Sequence, residues 1–270
     1  MKGSLKRPDG EIYFETIGSG PALVFAHGLG GNYLSWWQQI PFFSKHFTCV
    51  TFSHRGFWPN AAIQEIPGIA DFTDDLAALI DHLQFENVTL VAQSFGGWVC
   101  LEYVMREQTR VRALIMASTT GTLDYAAIAN TENERMKEWS AWADRQKKRL
   151  RELSIVPGAG SRMAEEQPSL HYLFRQISDL TPSPYKESLR TLIHNSRTLP
   201  PVRFSELRIP LLLLTGDEDL LFPPAAAGIA SLLVPDALWR SIPRTGHSTY
   251  FERPQLFNQI VGEFLSGAGK

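Results

Sequence analysis

The stretch Ala92-Gln93-Ser94-Phe95-Gly96-Gly97 decides the fold, because it places a serine on a turn of small residues between two different kinds of segment. Residues 87–91, just upstream, form a short β-branched apolar run that is typical of a buried parallel strand. Residues 98–105, just downstream, have the pattern of an amphipathic helix. So tight a turn strains the backbone of its central residue and raises the serine hydroxyl above the sheet edge. The usual motif for such a turn is G-x-S-x-G, and in this chain Ala92 takes the place of the first glycine. Ser94 is therefore a candidate nucleophile.

Length, charge and cysteine content restrict the setting of this serine. The chain has 270 residues, enough for the full core of one large α/β domain, and a formal net charge of −2. That charge gives no electrostatic reason to expect nucleic acid or an anionic membrane as a partner, so we expect a small-molecule substrate. Cys49 and Cys100 lie in apolar runs, which favours buried free thiols over a disulfide or a metal site.

The N-terminus has no apolar leader pattern, and no later stretch is long and apolar enough to cross a bilayer. The sequence therefore predicts a soluble cytoplasmic protein without a membrane partner. We expect a monomer or a homodimer, with no metal and no cofactor.

Continuous apolar runs, typical of strands covered on both faces, alternate with helical patterns along most of the chain. An antiparallel pair comes first, because two strand-like runs, 4–7 and 11–17, flank the turn Asp9-Gly10. The later strand predictions are 22–25, 47–52, 88–92, 111–117, 210–215 and 238–242, and the helix predictions are 69–83, 95–106, 225–233 and 254–265. This alternation predicts an α/β fold with a mostly parallel sheet wound on both faces by helices.

Residues 122–203 interrupt the alternation, because they contain no convincing strand pattern. Residues 132–153 predict a helix, ended by Pro157-Gly158-Ala159-Gly160, whose apolar face consists of Met136, Trp139, Ala143, Leu150 and Leu153. Its basic run, 145–151, is typical of a solvated helix face. We therefore expect a helical cap at 122–203, inserted into a core made of 1–121 and 204–270, over the sheet edge where open α/β sheets bind ligands.

A serine hydroxyl needs a base within hydrogen-bond reach, and a third group to orient that base. His247 follows the last predicted strand and is the candidate base, with His54 as an alternative. Asp217 and Asp219 follow the strand before it, so a carboxylate also emerges at this edge. The chain order is therefore serine, acid, histidine.

These motifs, in this order, resemble the α/β-hydrolase fold family over essentially the whole chain. His27-Gly28-Leu29-Gly30-Gly31 is similar to the family's H-G-x-G segment, and Gly216-Asp217-Glu218-Asp219 to its G-x-x-D acid loop. The resemblance implies that Ser94 is the nucleophile and His247 the general base, with Asp219 rather than Asp217 as the orienting carboxylate.

The resemblance also implies an oxyanion hole formed by the backbone N–H groups of Leu29 and Phe95. His27 would then be a structural hydrogen-bonding residue. Many relatives carry D-x-R-G-x-G where this chain reads Ser53-His54-Arg55-Gly56-Phe57-Trp58, so the polar anchoring of that loop is expected to differ.

The family resemblance implies a serine hydrolase that cleaves a small, fairly apolar carboxylic ester or lactone through an acyl-enzyme on Ser94. The serine at the elbow excludes the carboxylate chemistry of epoxide hydrolases and haloalkane dehalogenases. One alternative is carbon–carbon bond hydrolysis of a vinylogous diketone, although Ser248 stands where such enzymes often have tryptophan. The other is a ligand receptor without turnover on the same fold. The candidate substrate contacts are Trp58, Trp139, Trp142, His171, Tyr172 and Phe174.

Overall fold

A computed structural model describes residues 1–63, 65–128 and 133–268. Within these ranges the chain forms one eight-stranded sheet. Its strands are β1 (Lys2–Arg7), β2 (Gly10–Ile17), β3 (Ala22–Ala26), β4 (Thr48–Phe52), β5 (Val88–Gln93), β6 (Val111–Ala117), β7 (Leu211–Gly216) and β8 (Leu238–Ile242). All the strands predicted from the sequence are present, with bounds that differ by no more than two residues.

The strands are arranged in the order β1-β2-β4-β3-β5-β6-β7-β8. Strand β2 is antiparallel to both β1 and β4, whereas the strands from β4 to β8 in the sheet order pair in parallel. The carboxyl ends of the parallel strands therefore open on one edge of the sheet. The predicted mostly parallel sheet is confirmed.

The helices of the described residues are α1 (Ile40–Phe43), α2 (Ile69–His82), α3 (Phe95–Glu107), α4 (Asn133–Glu152), α5 (Gly160–Glu166), α6 (Pro168–Asp179), α7 (Ser183–Asn195), α8 (Pro201–Phe204), α9 (Pro224–Ser231), α10 (Thr249–Glu252) and α11 (Pro254–Ala268). Helices α2, α3 and α9 cover one face of the sheet, and α1, α10 and α11 cover the other. Alternate strand residues such as Leu90 and Val91 therefore pack into opposite layers. None of the described helices combines the length and the apolarity needed to span a membrane.

Helices α4 to α8 all lie between β6 and β7, and we call residues 122–203 the inserted segment. Position 132, where its first helix was predicted to begin, lies outside the described residues. Helix α4 ends at Glu152, because Ser154 takes a positive φ of 57° and the Ile155 N–H turns back to the Leu150 carbonyl at 2.8 Å. The prediction that Leu153 belongs to the apolar face of this helix is wrong, since Leu153 follows the helix and is 56% exposed.

Strand β8 differs from its prediction as a strand covered on both faces. It pairs with β7 alone, and of its five residues only Ile242 is buried. A strand at the edge of a sheet has solvent on one side, so an apolar sequence run there does not require burial. The sequence of β8 could not indicate this exposure, because the position of a strand at the edge depends on the order of all the strands in the sheet.

The loop after β4 is anchored without the acidic residue found in many relatives. The Ser53 hydroxyl accepts a hydrogen bond from the Tyr33 N–H at 3.0 Å and donates to the Trp58 carbonyl at 2.8 Å. Arg55, 5% exposed, binds both carboxylate oxygens of Asp75 in α2, and Arg7 adds a third contact at 2.8 Å. The loop is therefore fixed by a serine and by a buried ion pair.

Replacing Asp75 with alanine should lower the free energy of unfolding by about 3–5 kcal/mol, because it leaves the Arg55 guanidinium buried without a counter-charge. Urea unfolding monitored by tryptophan fluorescence measures this loss. The control is Asp74→Ala, which removes an exposed pair with Arg106 and should cost less than about 1 kcal/mol. Equal losses in the two variants would contradict the structural role of the buried pair.

Candidate active site

Ser94 lies at the sharp turn between β5 and α3. Its backbone has φ 47° and ψ −116°, a region that residues with a side chain rarely adopt. The Ser94 N–H donates to the Ala117 carbonyl of β6 at 3.0 Å, and its carbonyl accepts from the Gly97 N–H at 2.8 Å. A Cβ at Gly96 would overlap the Ala26 carbonyl oxygen, so only glycine allows α3 to start this close to β3. The small residues of the motif thus allow the tight turn between β5 and α3.

His247 and Asp219 form a hydrogen-bonded pair at the carboxyl edge of the sheet. The Nδ1 atom of His247 lies 2.9 Å from Oδ2 and 3.0 Å from Oδ1 of Asp219, which is completely buried. Asp217 instead accepts a hydrogen bond from the Thr245 N–H at 3.3 Å. Because an ionised carboxylate only accepts hydrogen bonds, Nδ1 carries the proton and Nε2 is left with a free lone pair. That lone pair is what a general base needs.

The loop that carries Asp219 is held from two sides. Its Oδ1 accepts hydrogen bonds from the N–H groups of Leu221 and Phe222, at 2.8 and 3.0 Å. The carbonyl of Asp219 accepts from the indole N–H of Trp139 in α4 at 2.9 Å. Part of the predicted apolar face of α4, including Ala143, packs against Leu220 of the same loop. The face therefore covers the acid loop.

A buried glutamate fixes the loop that carries His247. The carboxyl of Glu252 accepts hydrogen bonds from the N–H groups of Gly246 and Ser248, at 2.9 and 3.2 Å. Burial raises the pKa of Glu252 to about 8; the charge of Asp219 also raises it, and the two backbone donors oppose the shift. The Ser248 hydroxyl donates to the Gly158 carbonyl of the inserted segment at 2.7 Å. Ser248, which stands where some carbon–carbon bond hydrolases have tryptophan, thus connects the loop of His247 to the inserted segment.

The loop 27–31 lies directly against Ser94. A Cβ on Gly28 would overlap the Gln93 side chain and lie 3.0 Å from Cβ of Ser94. The Nε2 atom of His27 accepts a hydrogen bond from the His54 N–H at 3.0 Å, and its Nδ1 donates to the Gly28 carbonyl at 2.8 Å. Burial lowers the pKa of His27 to about 4, so its ring is neutral and holds the loop.

His54, the alternative base, is buried among aromatic side chains and is 1% exposed. Its ring packs against the side chains of Phe52, Phe72 and Phe95, and its Nε2 donates to the His27 carbonyl at 3.1 Å. Burial lowers the pKa of His54 well below its ordinary value. The ring is therefore a poor proton acceptor.

Ser94 and His247 line one cavity of about 660 Å³. Apolar side chains on its wall include Leu29, Trp98, Phe174, Leu221 and Phe222. The inserted segment contributes much of the remaining wall, with basic side chains among it. A second cavity, of about 580 Å³ and lined in part by Trp139 and Trp239, contains neither Ser94 nor His247.

Of the six predicted substrate contacts, Phe174 lines the cavity with Ser94 and the other five do not. Trp139 supports the acid loop, as described above, and Trp142 packs in the same cluster as Ala143. Trp58 stacks on Tyr33 with ring centroids 5.8 Å apart, and Tyr172 is 64% exposed. His171 lies in α6, and its Nε2 has no hydrogen-bond partner among the described residues.

Several residues of the site were not predicted from the sequence, and four of them hold the loop of His247 or carry charge. Gln93 donates a hydrogen bond to the His247 carbonyl at 3.3 Å, and Glu252 holds the same loop from the other side. Lys186 and Arg197 line the cavity from the inserted segment. The position of Gln93 directly before Ser94 could have indicated that it belongs to the site. No local sequence pattern distinguishes Lys186 or Arg197 from surface residues.

The mostly parallel sheet, with a serine at a strained strand-to-helix turn beside a buried histidine–carboxylate pair, defines a class of α/β enzymes. Residues 21–254 match the family model described as alpha/beta hydrolase fold. The chain therefore belongs to the alpha/beta hydrolase fold family, and it is a hydrolase of that fold.

Individual relatives are distant in sequence. A 3-oxoadipate enol-lactonase of Acinetobacter baylyi is 23% identical over 97% of this chain and 95% of its own length. A putative carbamate hydrolase of Agrobacterium fabrum is 27% identical, but the match spans only 42% of this chain and 44% of that protein. The structure of a thermophilic esterase from Thermogutta terrifontis superposes with a TM-score of 0.77 at 21% identity and covers both chains completely.

The Glu252→Gln variant should lose part of the pH dependence of folding stability. The folded protein holds this proton up to about pH 8, whereas the unfolded chain releases it near pH 4.5, so the contribution of Glu252 to stability falls as pH rises between these values. The slope reaches about 1.4 kcal/mol per pH unit, and a neutral amide lacks it. Urea unfolding from pH 5 to 8 measures the difference between wild type and variant.

The matched control is Glu263→Gln, which changes an exposed glutamate of α11 and should keep the wild-type pH profile. Parallel profiles for wild type and Glu252→Gln would show that Glu252 is ionised in the folded protein across this range.

Proposed function

We propose that this protein is a serine hydrolase that cleaves carboxylic esters or lactones through an acyl-enzyme on Ser94. The proposal rests on one observation: a histidine whose Nδ1 lies 2.9 Å from a buried carboxylate shares a cavity with a serine on a strained turn. This combination supplies a nucleophile, a base and an orienting group. The names of the relatives, esterase, enol-lactonase and carbamate hydrolase, support hydrolysis at a carbonyl carbon.

In this mechanism, Nε2 of His247 takes the proton as Oγ of Ser94 attacks the substrate carbonyl. Asp219 stabilises the imidazolium that forms. The imidazolium then protonates the leaving alcohol oxygen, and the acyl group stays on Ser94. Water, deprotonated by the same histidine, attacks the acyl-enzyme and releases the acid. For a lactone the alcohol and the acid belong to one product.

The backbone N–H groups of Leu29 and Phe95 are proposed to bind the oxyanion of the tetrahedral intermediate. The loop that contains Leu29 lies against Ser94, and Phe95 begins α3, where the first N–H groups have no partner within the helix. Donors that point at a developing negative charge contribute roughly 100- to 1,000-fold each to the rate. We further propose that the inserted segment, 122–203, acts as the cap of the cavity.

Ser94→Ala should lower kcat for p-nitrophenyl butyrate by roughly four to six orders of magnitude, because the nucleophile is lost while the fold is kept. A phosphonate ester should label the wild type once, and peptide mass spectrometry should place the label on Ser94. A label on Ser118, which lines the same cavity, would contradict the assignment.

The same assay separates the alternatives. Steady turnover of simple esters supports the proposal. One stoichiometric burst without turnover would instead indicate a receptor. Cleavage of a 2-hydroxy-6-oxo dienoate without ester turnover would indicate a carbon–carbon bond hydrolase.

Asp219→Asn should lower kcat by about 10⁴-fold, because an amide holds the histidine in the wrong tautomer for proton transfer. Asp217→Asn is the matched control: it changes the acidic residue two positions earlier, which does not contact His247, and should alter kcat by less than about tenfold. Steady-state kinetics on a simple ester measures both. A larger effect at position 217 would reassign the orienting acid.

A further inference from the structure

The cavity that contains Ser94 is strongly basic on the side formed by the inserted segment. Its basic lining residues are Lys147, Arg151, Lys186, Arg190, His194 and Arg197. Glu187 also lines it, and this carboxylate is paired with Arg190. Lys147 is likewise paired, with Asp144 at 2.7 Å. Among the described residues, Arg151, Lys186 and Arg197 form no ion pair; Arg151 is exposed, and Lys186 and Arg197 are considered in turn.

Lys186, in α7, is 5% exposed. Its ammonium donates to the carbonyl and to the hydroxyl of Ser178, at 2.7 and 3.1 Å. Across residues 1–63, 65–128 and 133–268, no carboxylate lies within 4.0 Å of it. An ammonium has three donors, so one remains unused by these partners. Burial lowers the pKa of Lys186 more than the charge of Asp179 raises it, so an anionic ligand in the cavity would stabilise this ammonium.

Arg197 follows α7 and lies close to the nucleophile. Its guanidinium carbon is 4.7 Å from the ring centroids of both Trp98 and Tyr125, and Trp98 is one helical turn beyond Ser94. Its Nη1 has only long contacts, at 3.5 Å, to the Thr120 hydroxyl and the Gly121 carbonyl. Among the described residues, no carboxylate lies within 4.0 Å of this guanidinium either.

Two further donors, on lining residues outside the inserted segment, are also without acceptors. Within the part of the chain that the structure describes, Nε1 of Trp98 and the hydroxyl of Ser118 make no hydrogen bond. Both residues line the cavity. Unused donors and cations without an ion pair thus occur together in the residues that line the cavity, and an anionic ligand would stabilise the cations.

We propose that the substrate carries an ionised acid group, a carboxylate, in addition to the bond that is cleaved, and that Lys186 and Arg197 bind this group. The identity of the cleaved bond rests on the proposed function. The apolar wall formed by Leu29, Phe174 and Phe222 then holds the hydrocarbon part of the substrate. The expectation of a small, fairly apolar substrate is thereby revised to a substrate with an apolar body and a charged end.

The test compares esters of the same shape with and without the charge. Phenyl hemiglutarate carries a carboxylate on the acyl side, and methyl phenyl glutarate is its uncharged counterpart. Carboxymethyl butyrate and its methyl ester form the matching pair for the alcohol side. In at least one pair, the wild type should have the higher kcat/KM for the charged ester. A wild type without this preference in either pair overturns the proposal.

Lys186→Met and Arg197→Met should each lower the ratio of kcat/KM for charged over neutral ester by roughly 10- to 100-fold, as expected for lost hydrogen bonds to a charged group. Lys137→Met is the control, because Lys137 is an exposed lysine of the same segment, paired with Glu134, that does not line the cavity. It should keep the wild-type ratio. Unchanged ratios in both folded cavity variants would overturn the proposal.

A binding measurement keeps this result separate from the proposed function. Calorimetric titration of the Ser94→Ala variant with both pairs of esters measures charge preference without turnover. Tighter binding of the charged ester in at least one pair, lost when Lys186→Met is added, supports the anion site even if the wild type hydrolyses no ester. Equal binding within both pairs overturns it, even if the wild type hydrolyses the esters.

Discussion

The strained backbone of Ser94 is the constraint on which the rest of the site depends. A residue held at positive φ with this ψ costs of the order of 1–3 kcal/mol, so the surrounding structure must fix it. The fixing contacts come from the sheet, since the Ser94 N–H is bound by the end of β6 and α3 starts against the backbone of β3. The strand order places both neighbours beside β5. Ser94 is thus positioned by the sheet and not by its own loop.

Asp219 and His247 depend on the inserted segment as well as on the sheet. Trp139 holds the carbonyl of Asp219, and the Gly158 carbonyl holds the hydroxyl next to His247. Arg162 of α5 adds an ion pair with Glu218, 2.6 Å long. An insertion that only covered the cavity would not need these bonds. Movement of the segment would therefore disturb the histidine–carboxylate pair together with access to the cavity.

The sequence predicted the sheet and the turn at Ser94 well, because both depend on local sequence patterns. The strands are apolar runs ended by turn residues, and small residues mark the turn at Ser94. Contacts between distant segments left no such pattern. Trp139 was expected at the substrate but supports the acid loop, since the direction of an aromatic side chain depends on how its helix packs. The prediction for Leu153 was wrong because the helix ends before it, and that for β8 because its edge position depends on the order of the whole sheet.

The basic lining of the cavity could not be predicted from the composition of the chain. A net charge of −2 suggests no preference for anions, and the basic run 145–151 has the composition of a solvated helix face. Yet Lys147 and Arg151 of that run lie on the cavity wall with Lys186 and Arg197, although up to 50 residues separate them in sequence. A concave site concentrates the field of such charges, which screening by solvent weakens on a convex surface. The charge of the cavity lining therefore depends on how the inserted segment packs, and the small overall charge does not indicate it.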